Sequence, residues 1–302
     1  MTTNRKYLIV LVGPTAVGKT KTAITLAKYF NTEIISADSR QIYQELNIGV
    51  ARPSIEELEM AKHHFIANKS IEEYVSAGTY EKEVLEILDN LFQKNDVVIL
   101  CGGTGFYINA VLYGFDTIPE IEQQVREKLI HVYNEKGIIH LQEQLKELDI
   151  DTYNNMDINN TQRVIRALEV CIGTGAPFSS FKQKKEINRN FIPIKIGLNL
   201  PKEKLHAQIN HRVDEMIKQG FVAEAQQLYN YRKNNALQTV GYKELFDYFD
   251  GNTNLEEAIE LIKLHTRQYA KRQMTFFNKN KDYTWFEPEQ TNEIIDYIKS
   301  KD

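Results

Sequence analysis

Gly13-Pro-Thr-Ala-Val-Gly-Lys-Thr20 fits G-x-x-x-x-G-K-[ST] at every fixed position, the pattern of a phosphate-binding P-loop. Its flanks fit as well. Tyr7 to Val12 is an apolar run of strand length, and Lys19 to Phe30 carries Ala23, Ile24, Ala27 and Phe30 at helical spacing. Strand, glycine loop and helix in that order gather backbone N–H groups and a helix N-terminus around one anion. Gly13, Pro14, Thr15, Ala16, Val17, Gly18, Lys19 and Thr20 are therefore the expected diphosphate or nucleotide cradle. Lys19 adds a positive charge, and the Thr20 hydroxyl is the expected ligand of a Mg²⁺ ion.

Working outward, the first hundred residues alternate between strands and helices. Glu33-Ile-Ile-Ser-Ala-Asp38 reads as a second strand and residues 79–94 as an amphipathic helix. Val97-Val-Ile-Leu-Cys101 reads as a third strand, ending at Gly102-Gly-Thr-Gly105 before a short helix to Tyr113. Strands that are apolar throughout and alternate with helices predict a buried parallel sheet. After Pro119 the character changes. Residues 120–148 and 158–172 read as polar helices, broken near Gly137 and over 149–160, and 173–190 as an exposed loop. Strand character returns from Phe191 to Leu200. Helices follow at 203–218, 221–232, 241–249 and 254–278, with a last strand at 283–286. The expected architecture is α/β: a P-loop core of parallel sheet flanked by helices (1–118 and 188–302), plus an inserted all-helical domain over 119–187.

Composition narrows the class. The chain has 302 residues, 42% of them apolar, and a net charge of −4, which excludes a globally basic nucleic-acid coat. Cys101 and Cys171 stand alone in apolar stretches and read as small core residues. No apolar run approaches membrane-spanning length and residues 1–6 are polar, so the expectation is a cytoplasmic, non-membrane, monomeric protein. His63-His64 lacks a third ligand at helical spacing, which argues against zinc.

The acids are informative by position. A P-loop kinase ordinarily has a strand ending in an acid that organises Mg²⁺ and water. Val97–Cys101 ends instead in glycines and a threonine, and the acid stands at Asp38. Ligands of open α/β sheets lie beyond the carboxyl ends of the strands, so Asp38, Thr104 and the P-loop are expected around one crevice. Asp38 also suits a turn or capping role in Asp-Ser-Arg-Gln.

Seven stretches in this order resemble the tRNA dimethylallyltransferase (tRNA isopentenyltransferase) family of bacterial type. They are the P-loop, Ile35-Ser-Ala-Asp-Ser-Arg-Gln-Ile-Tyr43, Gly102-Gly-Thr-Gly-Phe-Tyr107, Asn160-Thr-Gln-Arg-Val-Ile-Arg-Ala-Leu-Glu169, Arg212-Val-Asp-Glu-Met216, Val240-Gly-Tyr-Lys243 and Arg267-Gln-Tyr-Ala-Lys-Arg-Gln-Met-Thr-Phe276. One departure is Phe276-Phe277, where the family often carries tryptophan. The resemblance implies transfer of a dimethylallyl group from dimethylallyl diphosphate to N6 of the adenosine 3′ to the anticodon of tRNA. The diphosphate leaves whole, so no water need attack phosphorus. By the same matching Asp38 is the catalytic base, Thr104 contacts the adenosine, and Lys19 and Arg212 stabilise the leaving diphosphate. The implied tRNA contacts are Asp38, Ser39, Arg40 and Gln41; Thr104; Arg126; Gln162, Arg163, Val164, Ile165 and Arg166; and Gly241, Tyr242 and Lys243.

A further tRNA contact is expected from charge. Residues 263–281 hold Lys263, Arg267, Lys271, Arg272, Lys279 and Lys281 with no acid among them. Lys263, Arg267 and Lys271 recur at i, i+4, and Tyr269, Phe276 and Phe277 are interleaved. Lys182, Lys184 and Lys185 form a second basic cluster. Competing readings are a small-molecule P-loop kinase, a prenyltransferase acting on free adenine nucleotides, and a nucleotide-switched RNA-binding module. The absent acid after Cys101 speaks against the first, and the helical insertion and basic helix are surplus to the second. The third lacks an Asn-Lys-x-Asp motif.

Overall fold

A computed structural model describes residues 5–73, 75–114, 119, 121–181 and 187–301. The Lys182–Lys185 cluster lies outside the described residues. The chain divides into two compact units, residues 1–114 with 188–302, and residues 115–187.

In the first unit, β1 (Tyr7–Val12) runs through the P-loop into α1 (Lys19–Phe30), then β2 (Ile34–Ala37), α2 (Ile55–Met60), β3 (His63–His64), α3 (Ala77–Leu91), β4 (Val97–Gly102) and α4 (Gly105–Tyr113). All six strands of the sheet are parallel, in the order β3-β2-β4-β1-β5-β6, where β5 is Ile192–Leu198 and β6 is Thr284–Phe286. Successive side chains of a strand point to opposite faces, and β1 shows the result. Leu8, Val10 and Val12 enter one core layer; Tyr7, Ile9 and Leu11 enter the other. Both faces are covered, so the strands are apolar throughout rather than alternating.

The second unit holds α5 (Gln123–Leu148), α6 (Ile150–Asn155) and α7 (Thr161–Thr174). Gly137 breaks α5 with φ 76° and ψ −178°. Val164, Ile165, Ala167 and Leu168 of α7 pack on Leu129, Leu141 and Leu145 of α5 as its core. Asn160 caps α7 by accepting from the Arg163 N–H at 3.2 Å. The 149–160 segment, read from sequence as a break, contains α6, capped by the Asp149 carboxylate.

The rest of the first unit is α8 (Lys202–Lys218), α9 (Phe221–Gln227), α10 (Tyr242–Phe249), α11 (Leu255–Phe277), β6 and α12 (Thr291–Lys299). Sequence reading missed β3, which is only two residues long, and α12. The apolar face of α12 is Ile294, Ile295 and Ile298, all in the core layer against α1. His63-His64 forms the edge strand, and His64 Nε2 meets Glu33 Oε2 at 2.6 Å. Among the described residues no helix is long and apolar enough to cross a membrane.

Candidate active site

Strands β2, β4 and β1 are neighbours, and their last residues are level: Ala37 pairs with Gly102, and Val12 with Gly102. Three strand ends thus deliver three loops to one place. Gly102 makes this possible, because a Cβ there would stand 2.2 Å from the Ala37 carbonyl oxygen of the next strand. Beyond the strand ends lies a cavity of about 380 Å³ whose lining includes Thr15, Lys19, Thr20, Asp38, Gly102 and Arg212.

The cradle takes its shape from the backbone. Gly18 starts α1 with φ 102°, a left-handed conformation that side chains resist. The first N–H groups of α1 have no helical acceptor and face the cavity end of the helix. Lys19 folds back over the loop, donating from Nζ to the carbonyls of Gly13 at 3.0 Å and Pro14 at 2.8 Å. Loss of hydration lowers its ammonium from 10.5 to about 8, and the Asp38 charge opposes that shift. Burial likewise brings the Arg212 guanidinium down from its ordinary value to about 10, again against Asp38. Arg212, on α8, donates from Nη2 to the Thr15 hydroxyl, while its buried Nε has no hydrogen-bond partner among the described residues. Two cations held in a desolvated cavity, one with an unsatisfied N–H, are groups prepared for an anion. Val17 is buried in the core, so its side chain is structural.

Asp38 fills the turn role its position suggests and also lines the cavity. Its Oδ1 accepts from the Arg40 N–H at 2.8 Å and the Gln41 N–H at 3.3 Å, closing a turn. No described residue bonds Oδ2. The Thr104 hydroxyl accepts from the Ser39 N–H at 3.0 Å, which ties the loop after β4 to the one after β2. Arg40 donates to the Asn235 carbonyl at 2.7 Å, and Gln41 to the carbonyls of Val50 and Ala51.

Helix α11 closes the site through residues without an assigned role in the sequence reading. Gln273 is buried and bonds Thr15 of the P-loop and Gly103 of the β4 loop. Tyr269 is partly exposed but lies in the field of Asp38, Arg40 and Arg272, and loss of hydration at its hydroxyl together with the Asp38 charge pushes it up to about 12. The Arg272 guanidinium lies 5.8 Å from the Tyr269 ring centroid. A buried glutamine inside an amphipathic helix was the available signal, since such a group must find partners.

The basic stripe expected on α11 is not one surface. Lys263 pairs with Asp214 at 2.8 Å and Glu260 at 2.9 Å, so it is a neutralised packing residue. Arg267 and Lys271 line a separate groove of about 910 Å³ beside Trp285 and Phe286. At 3.6 residues per turn, Lys271 points about 200° away from Tyr269. Of the four α11 cations expected to contact tRNA, only Arg272 lies on the Asp38 side.

Two other expected stretches are also partly structural. Tyr242 is fully buried and donates to Glu224 Oε1 at 2.6 Å; that carboxylate also holds the Ile48 and Gly49 N–H groups. Gly241 is buried too, which leaves Lys243 as the exposed side chain of its motif. Val164 and Ile165 are core residues of the second unit. On that unit's surface the buried Glu169 gathers Arg126 and Arg166, each at 3.0 Å, and Arg126 also donates to Gln162 at 3.0 Å. Arg163 is exposed. Arg126 on α5 thus stands beside Gln162 and Arg166 on α7.

A model of the IPP transferase family matches residues 41–280. The tRNA dimethylallyltransferase of Flavobacterium johnsoniae is 52% identical over 300 residues, covering 97% of each chain. That of Cytophaga hutchinsonii is 47% identical over 296 residues, covering 98% of this chain and 97% of its own. Among solved structures, the tRNA isopentenylpyrophosphate transferase of Bacillus halodurans aligns with a TM-score of 0.72 at 36% identity, over 98% of this chain and 97% of that one. A eukaryotic dimethylallyltransferase acting on tRNA aligns with a TM-score of 0.75 at 26% identity, over 94% of this chain and 74% of that one. The P-loop precedes the span of the family model, yet the matches to the relatives extend over nearly the whole chain, and on both grounds this chain belongs to the IPP transferase family.

Proposed function

We propose that this protein transfers the dimethylallyl group of dimethylallyl diphosphate to N6 of the adenosine 3′ to the anticodon in tRNA. The observation that carries the proposal is one cavity lined by an anion cradle and a carboxylate, with no water-organising acid after β4. A phosphoryl transferase needs that acid; an alkyl transferase does not. The diphosphate would lie on the N–H groups at the start of α1, with Lys19 and Arg212 against its oxygens. Val50, Pro53 and Ile66 line the same cavity and offer an apolar wall to a five-carbon group.

In the proposed step the N6 lone pair forms a bond to C1 of the allylic diphosphate. The C1–O bond breaks, and its electron pair leaves on the diphosphate. The N6 proton passes to Asp38 Oδ2. The adenine amine is a weak nucleophile because its lone pair is delocalised, so a positioned base contributes on the order of 10²–10⁴ in rate. Charge growing on the departing oxygen meets Lys19 and Arg212, which are already desolvated and need no reorganisation. Thr104 would orient the adenine edge, held by its bond to Ser39.

Thr20, Ser36 and Asp38 line the cavity and offer oxygen donors, which suit a hard divalent cation. Thr20 would hold Mg²⁺ together with diphosphate oxygens, and the bound ion would neutralise part of the leaving group's charge. Arg272, Lys243 and Arg40 of the first unit, and Arg126, Arg163 and Arg166 of the second, are the proposed contacts to the tRNA backbone and loop. The target base must leave its stack to reach the cavity.

The test is incubation with labelled dimethylallyl diphosphate and either tRNA or AMP. Label is expected in tRNA, on N6. Label in AMP but never in tRNA would overturn the proposal.

A further inference from the structure

Helix α11 touches both halves of the proposed reaction centre through one side chain. Gln273 Oε1 accepts from the Thr15 N–H of the P-loop at 2.8 Å, and its Nε2 donates to the Gly103 carbonyl of the β4 loop at 3.0 Å. The partners fix the amide's orientation, since an N–H requires the oxygen and a carbonyl requires the nitrogen. The side chain is 6% exposed, so neither bond is exchanged easily for water. Gly103 is shaped around it: a Cβ there would lie 2.2 Å from Nε2. One turn further on, Phe276 packs on Gly105, where a Cβ would lie 2.1 Å from its ring. The P-loop carries the donor's diphosphate and the β4 loop carries Thr104, so the distance between donor and acceptor depends on this bridge.

We propose that Gln273 is a positioning residue that locks the diphosphate cradle to the acceptor loop, so that one amide sets the register between the two substrates. This rests on the prenyl-transfer reading above. It touches neither reacting atom. Its effect is to hold Thr15, whose hydroxyl Arg212 also grips, and Gly103, next to Thr104, at one separation. Reacting groups held in an attack geometry lose little entropy at the transition state, and small displacements are costly.

Three variants test it: Gln273→Met, which keeps the volume and loses both bonds; Gln273→Glu, which keeps the acceptor for Thr15 and sets a carboxylate against the Gly103 carbonyl; and Gly103→Ala, which pushes the amide away from the other side. Binding of inorganic pyrophosphate and of tRNA is measured by calorimetry, and KM for each substrate in the transfer assay. Gln273→Met is expected to weaken both ligands about tenfold. Gln273→Glu, which adds a negative charge against the cradle, is expected to weaken pyrophosphate further than Gln273→Met does and tRNA about tenfold or more. Gly103→Ala is expected to behave as Gln273→Met, and it carries the test if that variant does not fold. The proposal is overturned if Gln273→Met binds both ligands as wild type does, or if Gln273→Glu and Gln273→Met are alike on both. A wild type that leaves tRNA unlabelled sinks the functional reading, whereas the pyrophosphate arm still reports on the bridge.

Discussion

Replacing Lys19 by methionine tests the electrostatics of the cradle through stability rather than turnover. The shift from 10.5 to about 8 means that the folded protein disfavours the ammonium. At 1.36 kcal/mol per unit that is about 3 kcal/mol, and water at the cavity mouth reduces the effective figure to about 2. Methionine removes that cost and also the bonds to the Gly13 and Pro14 carbonyls, together worth about 1 kcal/mol net. Lys19→Met should therefore stabilise the ligand-free protein by about 1 kcal/mol at pH 7. The sign follows from linkage. A lysine whose folded pKa is depressed carries its full penalty below the folded value of about 8. The penalty fades between about 8 and 10.5, because the folded form sheds its proton first. Between pH 7 and pH 10 the wild type should thus gain about 1.5 kcal/mol on the variant. Urea unfolding of both proteins at the two pH values measures this, and groups common to both cancel. Pyrophosphate at a hundred times its Kd should add about 2.7 kcal/mol to the wild type and nothing to the variant. A stability difference that stays constant with pH, or a variant still stabilised by pyrophosphate, would refute the reasoning.

Three other outcomes follow from the same geometry. Asp38→Asn keeps an oxygen for the Arg40 and Gln41 N–H groups, so tRNA binding should persist while single-turnover transfer slows by about 10²–10⁴; loss of filter binding would make Asp38 a positioning group instead. Arg272→Gln should weaken tRNA binding and lower the salt slope by about one, read from binding isotherms over a range of KCl. Gly102→Ala forces β2 and β4 apart at Ala37, and thermal unfolding should show a loss of about 1–3 kcal/mol.

The P-loop half of the site is legible from sequence because local rules govern it. Strand, glycine loop and helix are contiguous, and a parallel sheet brings strand ends level, so Asp38 arrives in the same cavity as Lys19. What is not legible depends on contacts between distant segments. Gln273 lies 258 positions from Thr15, and helical periodicity puts it on the face of Ile262, Ala270 and Phe277 without showing what that face meets. The cations of α11 mislead for a related reason. Spacing places Lys263, Arg267 and Lys271 on one face but does not say what that face meets, and Asp214 on α8 claims the first. Tyr242 is the converse, since a tyrosine in a motif suggests recognition until Glu224 is seen to hold its hydroxyl. The two-residue β3 lacks a pattern of its own and exists only because β2 offers it an edge.

The strand order also has a consequence for synthesis. β1 is made first and ends in the middle of the sheet, between β4 and β5. One of its edges is filled once Gly102 has emerged; the other waits for Ile192, ninety residues later (192 − 102). At about 5–20 residues per second a nascent chain carries that open apolar edge for roughly 5–18 s, while the 115–187 unit is made. An unpaired central strand recruits other strands. The helical insertion therefore lengthens the interval in which this chain is vulnerable to aggregation on the ribosome.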